Sequence, residues 1–188
     1  MANKIKWRGA VLLCIGMSSN LLDRQIDDIL QTVLENATGD VFVVNPSADA
    51  IEERLFDAVE VTPAGVLAAD EATLRDAGLS RQKVSYVRNI AEAFDEHGYS
   101  RASFEGMDDD AVVAELTSIS GVGPWTAKMQ LLFSLGRPDV FPVEDLGIRN
   151  AVAAVCDETL DRAEMVDRAE QWRPYRSYAS LYLWRAVD

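Results

Sequence analysis

Histidine occurs once in these 188 residues, cysteine twice and lysine four times, and no apolar run reaches membrane-spanning length. Each shortage narrows the possibilities. The single histidine, His97, stands at a polar helix end just before Gly98 and is assigned no chemistry. Cys14 and Cys156 are too few for a secreted disulfide framework and suggest reduced thiols in an intracellular protein. Glycine, proline and strand-like alternation are sparse while helical periodicity recurs, so the chain reads as all-α. Basic residues are short as well. The formal net charge of −13 is the wrong sign for binding phosphates through a basic surface.

What is present concentrates between Leu116 and Arg149. Val112, Val113, Leu116 and Ile119 recur at spacings of three and four, the apolar stripe of a helix on a core, and Asp108, Asp109 and Asp110 crowd its first turn. That helix ends near Ser118. Gly121 and Gly123 then permit a tight turn, and Pro124 suits the first turn of a new helix because its missing N–H is not needed there. Such a turn leaves backbone N–H groups without intrachain partners, which makes it an anion cradle; an ordinary helix-loop-helix corner has the same spacing. Farther on, Glu144 and Asp145 follow Pro142 and can cap a helix over Leu146 to Val155.

The string ISGVGPWTA, an apolar helix and then DVFPVEDLGIRN resemble the helix-hairpin-helix (HhH-GPD) DNA glycosylase superfamily, in particular its 3-methyladenine DNA glycosylase II branch. The resemblance implies a two-lobed helical fold with the motif at about 111–135, acting on damaged double-stranded DNA as a monomer. It makes Asp145 the catalytic acid, with Glu144 as the fallback. Backbone contacts to DNA would come from Gly121, Gly123, Thr126 and Lys128. Na+ or K+ could sit on the backbone carbonyls of Thr117, Ile119 and Val122. No other cofactor is required, and two cysteines cannot form the four-cysteine iron-sulfur site of some members.

Bifunctional members carry lysine where this chain has Trp125, and tryptophan cannot act as a nucleophile, so a monofunctional enzyme using water is implied. Trp125, Met129 and Trp184 would line the base pocket, with the two indoles stacking on a cationic alkylated base. Met129 stands where the family often has tyrosine, which narrows the aromatic surface. The resemblance runs from about Ser47 to the C-terminus. Residues 1–46 contain an amphipathic stretch, Leu21 to Leu34, and the apolar VFVV before Asn45, yet show no polar QxxS-type segment of the kind that lines the pocket. Without that wall, the alternative is a non-catalytic helix-hairpin-helix DNA-binding module.

The acidity has its own reading. Aspartate outnumbers glutamate 18 to 13 and lysine is rare, a bias associated with proteins working in high salt, where phosphate attraction is screened anyway. The remaining segments read as helices. Thr62 caps one from Pro63, Ser80 caps a long one with Val84, Val87, Ile90, Ala91 and Phe94 inward, and Asp161 to Gln171 forms another. Arg81, Lys83 and Arg88 make a basic face on the long helix. After Pro174 the last helix is expected to turn Tyr178, Leu181 and Trp184 to one side.

Overall fold

The computed structural model describes residues 46–60, 62–156 and 159–187. The expectations for the stretch before Pro46, the missing pocket segment included, lie outside these residues. Among the described residues there is no strand, and no helix is long and apolar enough to cross a membrane.

Local capping chemistry sets most of the helix starts. α1 spans Pro46–Ala58. α2, Pro63–Ala68, begins where the Thr62 hydroxyl accepts the Gly65 N–H at 3.0 Å. α3, Glu71–Asp76, begins where Asp70 accepts from Thr73 at 2.6 Å. Ser80 caps the long α4, Arg81–His97, which stops at Gly98 in the left-handed region with φ 60°. Asp108 accepts the Ala111 N–H at 2.7 Å to start α5, Asp109–Thr117. Each such cap contributes roughly 0.5–2 kcal/mol.

α6, Pro124–Met129, starts without a side-chain cap and continues into a wider π turn over Gln130–Ser134. There the Leu135 N–H donates to the Gln130 carbonyl five residues back, at 2.9 Å. α7 is Leu146–Cys156, α8 is Arg162–Ala169 with an Asp161/Glu164 capping box, and α9 is Arg176–Val187.

Two apolar cores result. The larger gathers α1 to α6 around side chains such as Leu55, Leu74, Val87, Ile90, Val112 and Leu131. The smaller joins α7, α8 and α9 through Ile148, Ala151, Val152, Met165 and Leu183. Trp184 packs against both, at the seam between the lobes. The inward residues of α4 are those its periodicity predicts, with Phe94 only partly buried.

The last helix departs from its predicted face. Ser177, Ser180 and Leu183 are buried, whereas Tyr178 is 37% exposed. The reason is polar. The Ser177 hydroxyl accepts the Val140 N–H at 2.9 Å and donates to the Arg137 carbonyl at 2.6 Å, pairing backbone groups of the loop before the acidic pair. The same loop is fastened by Asp139, whose carboxylate receives the Arg176 guanidinium at 2.7 and 3.0 Å. Burial pushes the Asp139 carboxyl up, but the hydrogen bonds and charge of Arg176, with Arg173 beside it, outweigh this and hold it below the usual carboxylate range.

Candidate active site

Asp145 stands directly before α7, and its carboxylate is held on three sides. Oδ1 accepts the Ile148 N–H at 3.0 Å, so the residue caps its helix as the sequence allowed. Oδ1 also accepts the Trp184 indole N–H at 2.9 Å, and Oδ2 accepts the Trp125 indole N–H at 2.9 Å. One indole comes from the hairpin helix α6 and the other from α9. All three donors are neutral: they fix the carboxylate's orientation without cancelling its charge.

Its neighbour is placed differently. Both Glu144 oxygens lie on the Lys128 ammonium, at 2.9 and 3.0 Å, and the same ammonium donates to the Phe141 carbonyl at 3.3 Å. A carboxylate already neutralised by an ion pair is poorly suited to stabilise a second developing cation. The geometry therefore separates the two candidate acids, which spacing alone did not.

The aromatic residues are oriented by the same contacts. Both indole N–H edges point at Asp145. Trp184 also lies nearly parallel to Phe133, with centroids 6.0 Å apart at 26°. Met129 is 3% exposed within the larger core.

The hairpin uses its two glycines unequally. Gly121 has φ 104°, and a Cβ there would come within 2.5 Å of the Tyr86 ring, so no other residue fits. Asn89 reaches from α4 to the Ser120 carbonyl at 3.0 Å and steadies the turn. Gly123 has ordinary backbone angles and open space where its Cβ would be. What its missing side chain leaves is access to the first amides of α6. Thr126 is 7% exposed, which leaves it little surface for an outside partner.

Lys128, expected to reach a phosphate, is instead half-buried on Glu144 and the Phe141 carbonyl. Arg88, on the supposed basic face, donates to the Ala69 carbonyl and joins α4 to the end of α2. Of the carbonyls expected to hold a cation, that of Ile119 accepts the Val122 N–H at 3.0 Å. No group of three or more His, Cys, Asp or Glu side chains among the described residues is placed to hold a metal ion.

Three contributors escaped the sequence reading. Arg149 donates to the carbonyls of Val143 and Glu144, at 3.2 and 2.6 Å, bracing the turn that presents Asp145. Phe133 backs Trp184. Gly147 lies where a Cβ would meet Asp145 Oδ1 at 3.1 Å and Trp184 Cδ1 at 3.1 Å, so its bare Cα lets the indole approach the acid. A signal existed for the last: glycine in a helix costs about 1 kcal/mol relative to alanine and asks for a packing reason.

An apolar cavity of about 40 Å³ lies elsewhere, between α4, α5 and α6, lined by Ile90, Phe104, Leu116, Thr126 and Gln130. It has room for little more than water and does not include the acid.

A helical hairpin joined to a second lobe, with one acid held between an indole from each, defines the class. The chain belongs to the HhH-GPD superfamily of base excision DNA repair proteins, whose family model matches residues 46–174. It is similar to YfjP of Bacillus subtilis, 35% identical over 128 residues that make up 67% of this chain and 45% of that protein. It is 32% identical over 127 residues to DNA-3-methyladenine glycosylase 1 of Schizosaccharomyces pombe, covering 66% of this chain and 56% of the relative. The chain thus spans about half the length of these curated relatives. Its fold is also similar to the crystal structure of a DNA-3-methyladenine glycosidase from Bacillus halodurans, with a TM-score of 0.68, 28% identity, and 91% and 77% of the two chains covered.

Proposed function

We propose that this chain is a monofunctional DNA-N-glycosylase that removes alkylated purines of the 3-methyladenine type from double-stranded DNA by flipping the damaged nucleotide. The observation that carries this reading is the Asp145 carboxylate, oriented by two indole N–H groups and a helix amide yet left with its charge. The names of the relatives support the substrate class.

As the C1′–N bond breaks, its electron pair leaves with the base and positive charge develops on the sugar. A fixed carboxylate stabilises that charge and orients the water that adds to C1′, and the proton this water loses passes by way of the carboxylate to solvent. An alkylated purine is already cationic and departs as a neutral molecule, so no strong general acid is required. The base rests against the indoles, with cation–π attraction of roughly 0.5–2 kcal/mol favouring the damaged form. Trp125 offers no amine for a Schiff base, so the product is an abasic site in an unbroken strand.

The amides around Gly121 and Gly123 hold the phosphate backbone. The carbonyls of Thr117, Ile119 and Val122, being neutral oxygen donors with a lone pair still free on Ile119, suit Na+ or K+ in support of that turn. The protein works as an intracellular monomer in high salt, a reading supported by the net charge of −13.

The test is release of free methylated purine from alkylated duplex DNA, at low and molar salt, by the native chain and by Asp145→Asn. Release by the native chain alone supports the reading. DNA binding by both without release by either would leave a non-catalytic hairpin module, and strand nicking without alkali or a lyase would contradict the role given to Trp125.

A further inference from the structure

Two residues of α6 on the same side of the helix, Trp125 and Lys128, both reach the segment that carries the acid. Trp125 holds Asp145 itself, while Lys128 holds the Glu144 carboxylate and, at 3.3 Å, the Phe141 carbonyl. Phe141, Pro142 and Val143 are buried, and the Asp145 N–H donates to the Pro142 carbonyl at 2.9 Å, so the segment between these anchors is a tight turn. The Lys128 and Glu144 side chains are only 24% and 27% exposed, which shields their pair from solvent more than a surface pair. Arg149 in turn donates to the carbonyls of Val143 and Glu144. Two cationic side chains thus hold the turn, and neither donates to the Asp145 carboxylate.

We infer that Lys128 is a positioning residue, which fastens the hairpin helix to the Phe141–Asp145 turn and so sets where the Asp145 carboxylate stands, and that it makes no phosphate contact. The inference rests on the glycosylase reading for its effect on rate. Its geometric basis does not depend on that reading: the ammonium is the direct link between α6, Glu144 and the Phe141 carbonyl. The role also accounts for a lysine one turn into a DNA-facing hairpin helix in a chain with only four lysines, three of them outside this motif.

A phosphate contact and a positioning contact have different signatures. Losing one phosphate contact lowers the slope of log affinity against log salt by about one, whereas losing a positioning contact leaves that slope alone and lowers the maximal rate. The experiment compares the native chain, Lys128→Met and the exchanged pair Lys128→Glu with Glu144→Lys, using binding to alkylated duplex DNA over a salt series, single-turnover base release and hydrogen exchange of the free protein. Lys128→Met is expected to bind with the native salt slope, to release base about tenfold more slowly, and to exchange the amides of 143–149 faster. The exchanged pair is expected to recover most of the rate, although an acid at position 128 would repel a phosphate.

A salt slope reduced by about one, an exchanged pair slower than the single variant, or unchanged rate and exchange in Lys128→Met would each overturn the inference. Should the native chain release no base, the glycosylase reading fails by itself, and the hydrogen-exchange comparison then decides the positioning role: faster exchange at 143–149 in Lys128→Met upholds it, equal exchange overturns it.

Discussion

The two lobes each contribute one indole to Asp145, but they hold that indole in place by different means. In the hairpin lobe the buried positions are mostly apolar, Thr126 and Gln130 being polar exceptions, and Trp125 follows a turn fixed by Gly121 against Tyr86. In the second lobe α9 buries two serines, exposes Tyr182 at 66%, and is fastened by Ser177 and Arg176 to the loop at 137–140. Apolar packing surrounds the helix that carries one indole, and directional hydrogen bonds fasten the helix that carries the other. Both routes end in the same contact, since each indole N–H reaches Asp145 at 2.9 Å.

Breaking the hairpin lobe should cost the most. Leu116→Ala, at a site 5% exposed in the larger core, is expected to destabilise the protein by about 2–5 kcal/mol in denaturant titration. In the other lobe, Ser177→Ala leaves the Val140 N–H and the Arg137 carbonyl without their partner and should cost about 1–3 kcal/mol. It removes almost no apolar volume, so a loss below about 0.5 kcal/mol would show that the polar fastening matters little.

The indoles permit a direct comparison. Trp125→Phe and Trp184→Phe each remove one N–H from Asp145 and keep an aromatic ring, and each should slow single-turnover base release roughly tenfold, as expected for a hydrogen bond to a charged group. The Trp184 change should be the larger, because that ring also backs onto Phe133 and closes over Gly147. Equal effects would remove the distinction drawn between the lobes.

A smaller effect concerns pH. Because Arg176 holds the Asp139 carboxyl below the usual range, the folded chain binds that proton less readily than the unfolded chain does. The resulting stability is complete above the ordinary carboxylate pKa and is lost as pH falls through the depressed value. Asp139→Asn should therefore flatten the acid side of a melting-temperature profile while lowering stability at neutral pH. Asp109 acts with the opposite sign: burial raises its pKa despite Arg137, so its contribution fades as pH rises through the raised value. The smallest structural change is expected at Gly123→Ala, where open space keeps stability nearly native while DNA affinity falls.

The order and starts of the helices were legible because caps are local. Asp108 with Ala111, Ser80 with Lys83 and Asp161 with Glu164 are all pairs three residues apart, so residue type and spacing nearly suffice. The hairpin and the acid were legible through their resemblance to a family. Less legible was the inward face of α9, since hydropathy assigns serine to the outside and takes no account of the unpaired backbone of a distant loop.

The sequence by itself determined an all-α chain, a glycine hairpin opening a proline-started helix, and two adjacent carboxylates before another helix. The resemblance already favoured Asp145; only the tertiary structure shows how differently the two carboxylates are placed, Glu144 on an ammonium and Asp145 between two indoles. The residues responsible lie 16, 20 and 39 positions from their partners. No local period records contacts at that separation; they exist because two cores pack side by side and bring α6, α7 and α9 to one seam.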